Sequence, residues 1–156
     1  MKIEVGQTAP DFTLYDSEKN KVKLSDYKGK NVLLLFFPLA FTSTCTKELC
    51  SVRDNIGQYN DANAHVFGIS VDSVYVLNKF KEEQKLNFPL LSDFNKDVSE
   101  SYGSIYETFS LEMKGVSKRS AFVIDKDQKV RYAEVLEKAG DLPNFAHIKE
   151  TLESIN

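Results

Sequence analysis

The chain carries two cysteines, Cys45 and Cys50, and a cysteine thiolate is a strong nucleophile near neutral pH. Cys45 follows the polar run Thr42–Thr44, where a loop is expected to turn into a helix and where these residue types favour helix capping. Unpaired backbone amides and the positive end of a helix dipole at such a point favour thiolate over thiol. Cys45 is therefore our candidate nucleophile, and the alternative is a small apolar core residue.

Cys50 follows Cys45 by five positions and lies off the apolar stripe of the predicted helix, so we expect it to be accessible. Five steps along an α-helix separate two Cα atoms by roughly 8.6 Å, whereas a disulfide needs less than about 7 Å. The two cysteines can pair only if the first turns of the helix unwind. The alternative for Cys50 is an incidental thiol.

A reactive thiolate is stabilised by a fixed positive charge, and arginine stays charged at any working pH. The chain has three arginines, which are Arg53, Arg119 and Arg131. Arg131 falls on the polar side of a predicted hairpin and is expected on the surface. Arg53 comes two turns after Cys45, which favours a supporting position behind the site.

These residues must be positioned by a fold in which strands alternate with helices. Asn31–Phe37 is a continuous apolar run, typical of a strand buried on both faces. Apolar residues at helical spacing from Cys45 to Tyr59 predict one helix of about four turns. The other predicted elements are strands at Asp11–Tyr15, Lys21–Leu24, His65–Val71, Phe88–Leu91, Ser120–Ile124 and Lys129–Val135, and helices at Val74–Leu86 and Phe145–Ile155. We predict an α/β, thioredoxin-like fold with a mixed sheet flanked by helices and an N-terminal β-hairpin.

Composition excludes several classes of function. The net charge is -3 and basic residues are spread along the chain, so no nucleic-acid partner is expected. The longest apolar stretch, Val32–Phe37, is too short to span a membrane. The N-terminal residues lack an apolar run followed by a small-residue cleavage site, so we expect no secretory signal. We expect one cytoplasmic domain over residues 1–156. His65 and His147 lack cysteine partners at zinc spacing, so no metal site is expected.

The segment Pro38–Cys45 resembles the active-site pattern of the peroxiredoxin family, which is a proline, three residues, a threonine, two residues and a cysteine. Further resemblance lies in Gly6–Phe12, Leu24–Lys30 and Phe88–Asp93, so it extends along nearly the whole chain. The Phe36–Thr42 stretch is most similar to the alkyl hydroperoxide reductase E type, whereas the cysteine spacing is similar to the bacterioferritin-comigratory, or Q, type.

The resemblance implies a role for each motif residue. Pro38 would cover the sulfur, and the Thr42 hydroxyl would accept from and donate to the peroxide oxygens. Arg119 opens a segment similar to the late strand that carries the family's active-site arginine. Glu48, three positions after Cys45, would orient Arg119 or Thr42, and its alternative is an ordinary surface glutamate.

The resemblance also implies a catalytic cycle. Cys45 would reduce hydrogen peroxide or an organic hydroperoxide and become a sulfenic acid, and Cys50 would condense with it to an intramolecular disulfide. A thioredoxin-like or glutaredoxin-like donor would reopen that disulfide, which serves antioxidant defence. No flavin or nicotinamide fingerprint occurs, so no bound cofactor is expected.

Three alternatives remain open at this point. A one-cysteine peroxidase would be recycled directly by an external thiol. A thioredoxin-type oxidoreductase would place two residues between its cysteines, whereas this chain has four. A non-catalytic binding or chaperone module would keep the fold without the chemistry. The sequence permits a monomer or a homodimer, with Phe41 or the Tyr102–Phe109 segment as an apolar contact.

Overall fold

The computed structural model describes residues 2–156. The strands are β1 (Thr13–Asp16), β2 (Lys21–Lys23), β3 (Asn31–Phe36), β4 (Ala64–Ser70), β5 (Leu90–Ser92), β6 (Ile105–Tyr106), β7 (Val116–Ser117), β8 (Ser120–Ile124) and β9 (Val130–Val135). Seven strands form one sheet in the order β2-β1-β5-β4-β3-β8-β9, and β6 and β7 form a small separate hairpin. The helices are α1 (Ser43–Asp54), α2 (Ile56–Asp61), α3 (Val74–Gln84), α4 (Asp97–Ser101) and α5 (Phe145–Ile155).

The sheet is mixed, as the alternation of elements predicts. β3 runs parallel to β4 and antiparallel to β8, and β4 runs parallel to β5. β1 pairs antiparallel with β2, which confirms the N-terminal hairpin. None of the helices within residues 2–156 is long and apolar enough to cross a membrane.

Strand β3 separates two apolar cores, which explains its uninterrupted apolar sequence. Leu33 and Leu35 point into the core that α1, α3 and α5 cover, whereas Val32 and Leu34 point into the core on the opposite face. Side chains of a strand alternate between faces, so every position of β3 is buried. The end of this strand is therefore a rigid support for the loop that follows.

The prediction of one four-turn helix after Cys45 is wrong in one respect. Asn55 leaves helical geometry with φ -115° and ψ 17°, and it separates α1 from α2. Its side-chain amide donates to the Ser51 carbonyl at 2.8 Å and thereby satisfies an acceptor at the end of α1. Ile56 and Tyr59 still pack against the core. The apolar residues keep helical spacing on both sides of Asn55, so their pattern does not show that the helix breaks there.

Candidate active site

Cys45 lies in the first turn of α1, directly after the loop that leaves β3. Its side chain is buried, with 1% exposure, and belongs to the same core cluster as Leu49 and Val52. The first amide of α1 that bonds to a backbone carbonyl is that of Thr46, which donates to Thr42 at 3.0 Å. The sulfur therefore lies at the positive end of the helix.

Arg119 immediately precedes β8 and contacts the Cys45 sulfur. Ser120 of β8 pairs with Phe36 of β3, so Arg119 lies beside the loop that follows β3. Its Nη2 donates to Cys45 Sγ at 3.3 Å. Nη2 and Nε also donate to the Ala139 carbonyl at 2.8 and 3.2 Å, which fixes the plane of the guanidinium. A buried, oriented cation beside a thiol stabilises its anionic form and any charge that develops on a neighbouring oxygen.

Glu48 completes a buried ion pair behind the sulfur. Arg119 Nη1 donates to Glu48 Oε1 at 2.7 Å, and the two side chains are 1% and 0% exposed. Of the two partners expected for Glu48, the structure brings it to Arg119. Burial raises the pKa of Glu48 to about 7, although the charge and hydrogen bond of Arg119 act to lower it. Its second oxygen, Oε2, has no hydrogen-bond partner among the described residues.

Thr42 is the residue preceding α1, but it does not cap the helix as its residue type predicts. Its hydroxyl instead donates to the Leu39 carbonyl at 2.7 Å, and no side-chain cap bond is formed. The lone pairs of that hydroxyl oxygen remain available to an incoming donor. The first turn of α1 consequently lacks a stabilising contact worth about 1 kcal/mol.

A small cavity opens beside the sulfur. Its volume is about 160 Å³, and it is lined by Pro38, Thr42, Cys45, Phe109, Arg119 and Ala139 among others. A water molecule occupies about 30 Å³ in the liquid, whereas a drug-sized ligand needs roughly 300 Å³ or more. The cavity therefore has room for a hydroperoxide group in contact with Cys45, Thr42 and Arg119.

Sequence reasoning missed Asp72, which braces the loop that carries Pro38 and Thr42. Its Oδ2 accepts from the Ala40 amide at 2.8 Å and from the Ser70 hydroxyl at 2.7 Å. The available signal was its position, because Asp72 lies two residues after the end of β4, the strand next to β3. Side chains at the carboxyl ends of parallel strands meet at one edge. Phe41 in the same loop has φ +68°, a left-handed conformation that is uncommon for a bulky residue.

Cys50 lies elsewhere on the same helix. Both cysteines are free, and Cys50 is only partly exposed, with its sulfur 3.5 Å from Gln84 Oε1. Arg53 binds the Gln84 carbonyl at 2.5 Å.

Arg131 pairs with Asp125 at 3.2 Å at the surface. Within residues 2–156 no group of three or more histidine, cysteine and acidic side chains could hold a metal ion.

Comparison with known proteins shows the family to which the chain belongs. Residues 5–133 match the family described as AhpC/TSA family. A putative peroxiredoxin bcp of Coxiella burnetii is 44% identical over 129 residues, which are 81% of this chain and 85% of the relative. An alkyl hydroperoxide reductase E of Mycobacterium bovis is 40% identical over 136 residues, which are 85% of this chain and 86% of the relative. The crystal structure of peroxidoxin BcpB from Mycobacterium tuberculosis has a TM-score of 0.87 at 34% identity and covers 99% of both chains.

The fold is that of solved peroxiredoxins, which are thiol-dependent peroxidases, and the first turn of α1 carries a cysteine. The chain belongs to the AhpC/TSA family of peroxiredoxins. The relatives include both the Bcp type and the alkyl hydroperoxide reductase E type, in line with the mixed resemblance of the sequence.

Proposed function

We propose that the whole chain acts as one cytoplasmic domain that reduces hydrogen peroxide and organic hydroperoxides with Cys45 as its nucleophile. The observation that carries this proposal is the contact between Arg119 Nη2 and Cys45 Sγ at the wall of the small cavity. Pro38 and Thr42 line the same cavity. A hydroperoxide group placed there meets the nucleophile, a hydroxyl and a cation together.

The first step forms a bond between sulfur and oxygen. The Cys45 thiolate attacks the terminal peroxide oxygen, the O–O bond breaks, and the departing alkoxide or hydroxide takes up a proton to become an alcohol or water. Arg119 stabilises the thiolate before attack and the charge on the departing oxygen afterwards. Glu48 holds the guanidinium in place through its bond at 2.7 Å. The product is a Cys45 sulfenic acid.

The second step uses Cys50 as the resolving thiol. Cys50 condenses with the sulfenic acid, an intramolecular disulfide forms, and water leaves. The cysteines are five positions apart in α1, where an intact helix keeps their Cα atoms roughly 8.6 Å apart, so part of α1 unwinds in this step. A thioredoxin-like or glutaredoxin-like donor then reduces the disulfide.

Steady-state consumption of hydrogen peroxide with a thioredoxin system tests both roles. Cys45→Ser should lose turnover entirely. Cys50→Ser should complete a first turnover, then stop and accumulate Cys45 sulfinic acid under excess peroxide, because the sulfenic acid persists. Unchanged turnover and oxidation state in Cys50→Ser would contradict the resolving role and favour a one-cysteine cycle with an external thiol.

A further inference from the structure

The C-terminal half of α1 is attached to the end of α3 by contacts that converge on Gln84. The Cys50 thiol donates to Gln84 Oε1 at 3.5 Å, and Arg53 Nη1 donates to the Gln84 backbone carbonyl at 2.5 Å. Asn87, just beyond α3, donates to the Arg53 carbonyl at 3.2 Å. Lys85 adopts left-handed geometry and ends α3, so the Gln84 carbonyl is free to accept from outside the helix.

The surroundings of Cys50 can serve it as a thiol and as a thiolate. A glutamine amide accepts from a thiol through its oxygen and, after rotation, donates to a thiolate through its nitrogen. Arg53 supplies a nearby positive charge. The pKa of Arg53 is raised chiefly by its hydrogen bond to Asp54, against an opposing effect of burial, and further by the charge of the Cys50 sulfur. Arg53 and Cys50 contact the same residue, Gln84, the former through its backbone carbonyl and the latter through its side-chain amide.

The two ends of α1 differ in how well they are held. The first turn has no side-chain cap and no acidic residue to offset the helix dipole. The last turn carries Arg53, and Asn55 donates to the Ser51 carbonyl at 2.8 Å. The missing cap favours unwinding of α1 from the end that carries Cys45, which the reduced protein holds through the contacts of Arg119 with Cys45 and Glu48.

Oxidation of Cys45 weakens the contact that holds this end. A hydrogen bond from a guanidinium to a thiolate is charge-assisted, whereas the sulfur of a sulfenic acid is neutral. The bond of Arg119 to Cys45 therefore loses strength when the peroxide has reacted. The contacts of Gln84 with Arg53 and Cys50 involve no atom that the first step changes.

We propose that Gln84 and Arg53 are positioning residues that keep Cys50 in place while the first turns of α1 unwind and bring the Cys45 sulfenic acid to it. This inference rests on the proposed resolving role of Cys50. In the step, the Cys50 thiolate attacks the Cys45 sulfur, the S–S bond forms, the S–O bond breaks, and the hydroxide released takes up a proton to become water. The hydroperoxide of the first step is the oxidant.

Rapid quenching after one equivalent of hydrogen peroxide, followed by intact mass measurement, separates the rate of Cys45 oxidation from the rate of disulfide formation. Arg53→Gln removes the charge, Arg53→Lys keeps it, and Gln84→Leu removes the partner of the Cys50 sulfur but keeps the backbone carbonyl. Arg131→Gln is the matched control, because Arg131 pairs with Asp125 on the surface of the hairpin.

We expect Cys45 oxidation to be unchanged within about twofold in every variant, since none of the altered side chains contacts Cys45 among the described residues. Disulfide formation should be about tenfold slower in Arg53→Gln and about threefold slower in Gln84→Leu, because a misplaced thiol attacks less often. Arg53→Lys should recover most of the rate. A merely structural contribution would not produce this rescue or spare the first step.

Disulfide formation that is as fast in Arg53→Gln and Gln84→Leu as in the parent protein, or faster, would overturn the inference. A faster rate would mean that these contacts restrain Cys50. If Arg53→Gln were also slow in its first step, Gln84→Leu would decide, because it leaves Arg53 intact. Absence of a disulfide in the unsubstituted protein would instead contradict the resolving role itself, before any variant is compared.

Discussion

The two cysteines share one helix but lie in opposite surroundings. Cys45 is buried and accepts a hydrogen bond from a cation that is itself paired with a buried carboxylate. Cys50 is partly exposed and contacts the neutral amide of Gln84, with Arg53 nearby. One sulfur lies buried beside a small cavity, and the other lies near the surface.

The surroundings of the two cysteines suit them to different steps of the proposed cycle. A buried, oriented arginine strengthens interactions with the charges of a peroxide reaction, because little water competes with it. A thiol near the surface can receive a moving partner and later be reached by an external reductant. In the proposed cycle, the helix that separates the two sulfurs must open between the two steps.

Replacement of Arg119 should have the largest effect on the reaction of Cys45. Arg119→Met removes the cation from Cys45, and we expect kcat/KM for hydrogen peroxide to fall by about 100-fold to 1,000-fold. Arg119→Lys keeps a positive charge but lacks the planar guanidinium, so its kcat/KM should lie between those of the parent protein and Arg119→Met. Stopped-flow measurement of Cys45 oxidation gives these values, with Arg131→Gln as the control. A loss below about threefold in Arg119→Met would contradict the role given to this contact.

Glu48→Gln should change how the stability of the protein depends on pH. The pKa of Glu48 is raised to about 7 from 4.5, so the folded protein binds more protons than the unfolded chain between these pH values. The free energy of unfolding should therefore decrease as the pH rises through this window, by an amount on the order of 3 kcal/mol from this group. Glu48→Gln cannot ionise at this position and should show a flatter profile.

Urea denaturation at intervals from pH 4.5 to pH 8 measures that profile. Glu150→Gln, an exposed glutamate in α5, serves as the matched control and should keep the parent profile. Parallel curves for the parent protein and Glu48→Gln would contradict the raised pKa.

Asp72→Ala should loosen the loop beside Cys45, although Asp72 lies outside the cavity. Loss of the acceptor for the Ala40 amide leaves that group without its partner, and we expect a decrease of about 1–3 kcal/mol in the free energy of unfolding. The Cys45 oxidation rate should fall by about tenfold, because the loop with Pro38 and Thr42 is less fixed. Asp72→Asn retains an acceptor oxygen and should recover much of both losses. Equal rates in Asp72→Ala and in Asp26→Ala, a change of an exposed residue, would contradict this prediction.

Hydrogen exchange compares the two halves of α1 directly. In the reduced protein, amides of residues 46–49 should exchange about tenfold faster than those of residues 51–54, since the first turn is uncapped and the last is held by Arg53 and Asn55. Mass spectrometry of peptides from this helix, with the buried strand β3 as an internal standard, provides the measurement. Equal or stronger protection of residues 46–49 would contradict unwinding from this end.

Much of the fold could be predicted because local patterns determine it. The continuous apolar run of β3 is readable because both faces of that strand are buried. The hairpin of β8 and β9 and the bounds of α5 follow from short-range patterns in the same way. The break at Asn55 could not be predicted, because apolar residues face the core on both sides of it. These are Leu49 and Val52 before the break and Ile56 and Tyr59 after it.

The site residues likewise divide into those that local spacing predicts and those that it does not. Cys45 and Glu48 share a helix turn, so their proximity follows from spacing, whereas Arg119 was found only through resemblance to a family. Asp72 and Gln84 were missed because their contacts join residues 32 and 34 positions apart. Nothing in the local sequence of Gln84 marks it as the partner of a cysteine on another helix.

The most direct test of the division between Cys45 and Cys50 is the intact mass of the reduced protein, seconds after one equivalent of hydrogen peroxide is added. We predict that the protein loses two hydrogen atoms and becomes a disulfide, while Cys50→Ser gains one oxygen atom and Cys45→Ser keeps its mass. An unchanged mass of the unsubstituted protein, or oxidation of Cys50 in the Cys45→Ser variant at the same rate, would contradict the assignment of Cys45 as the nucleophile.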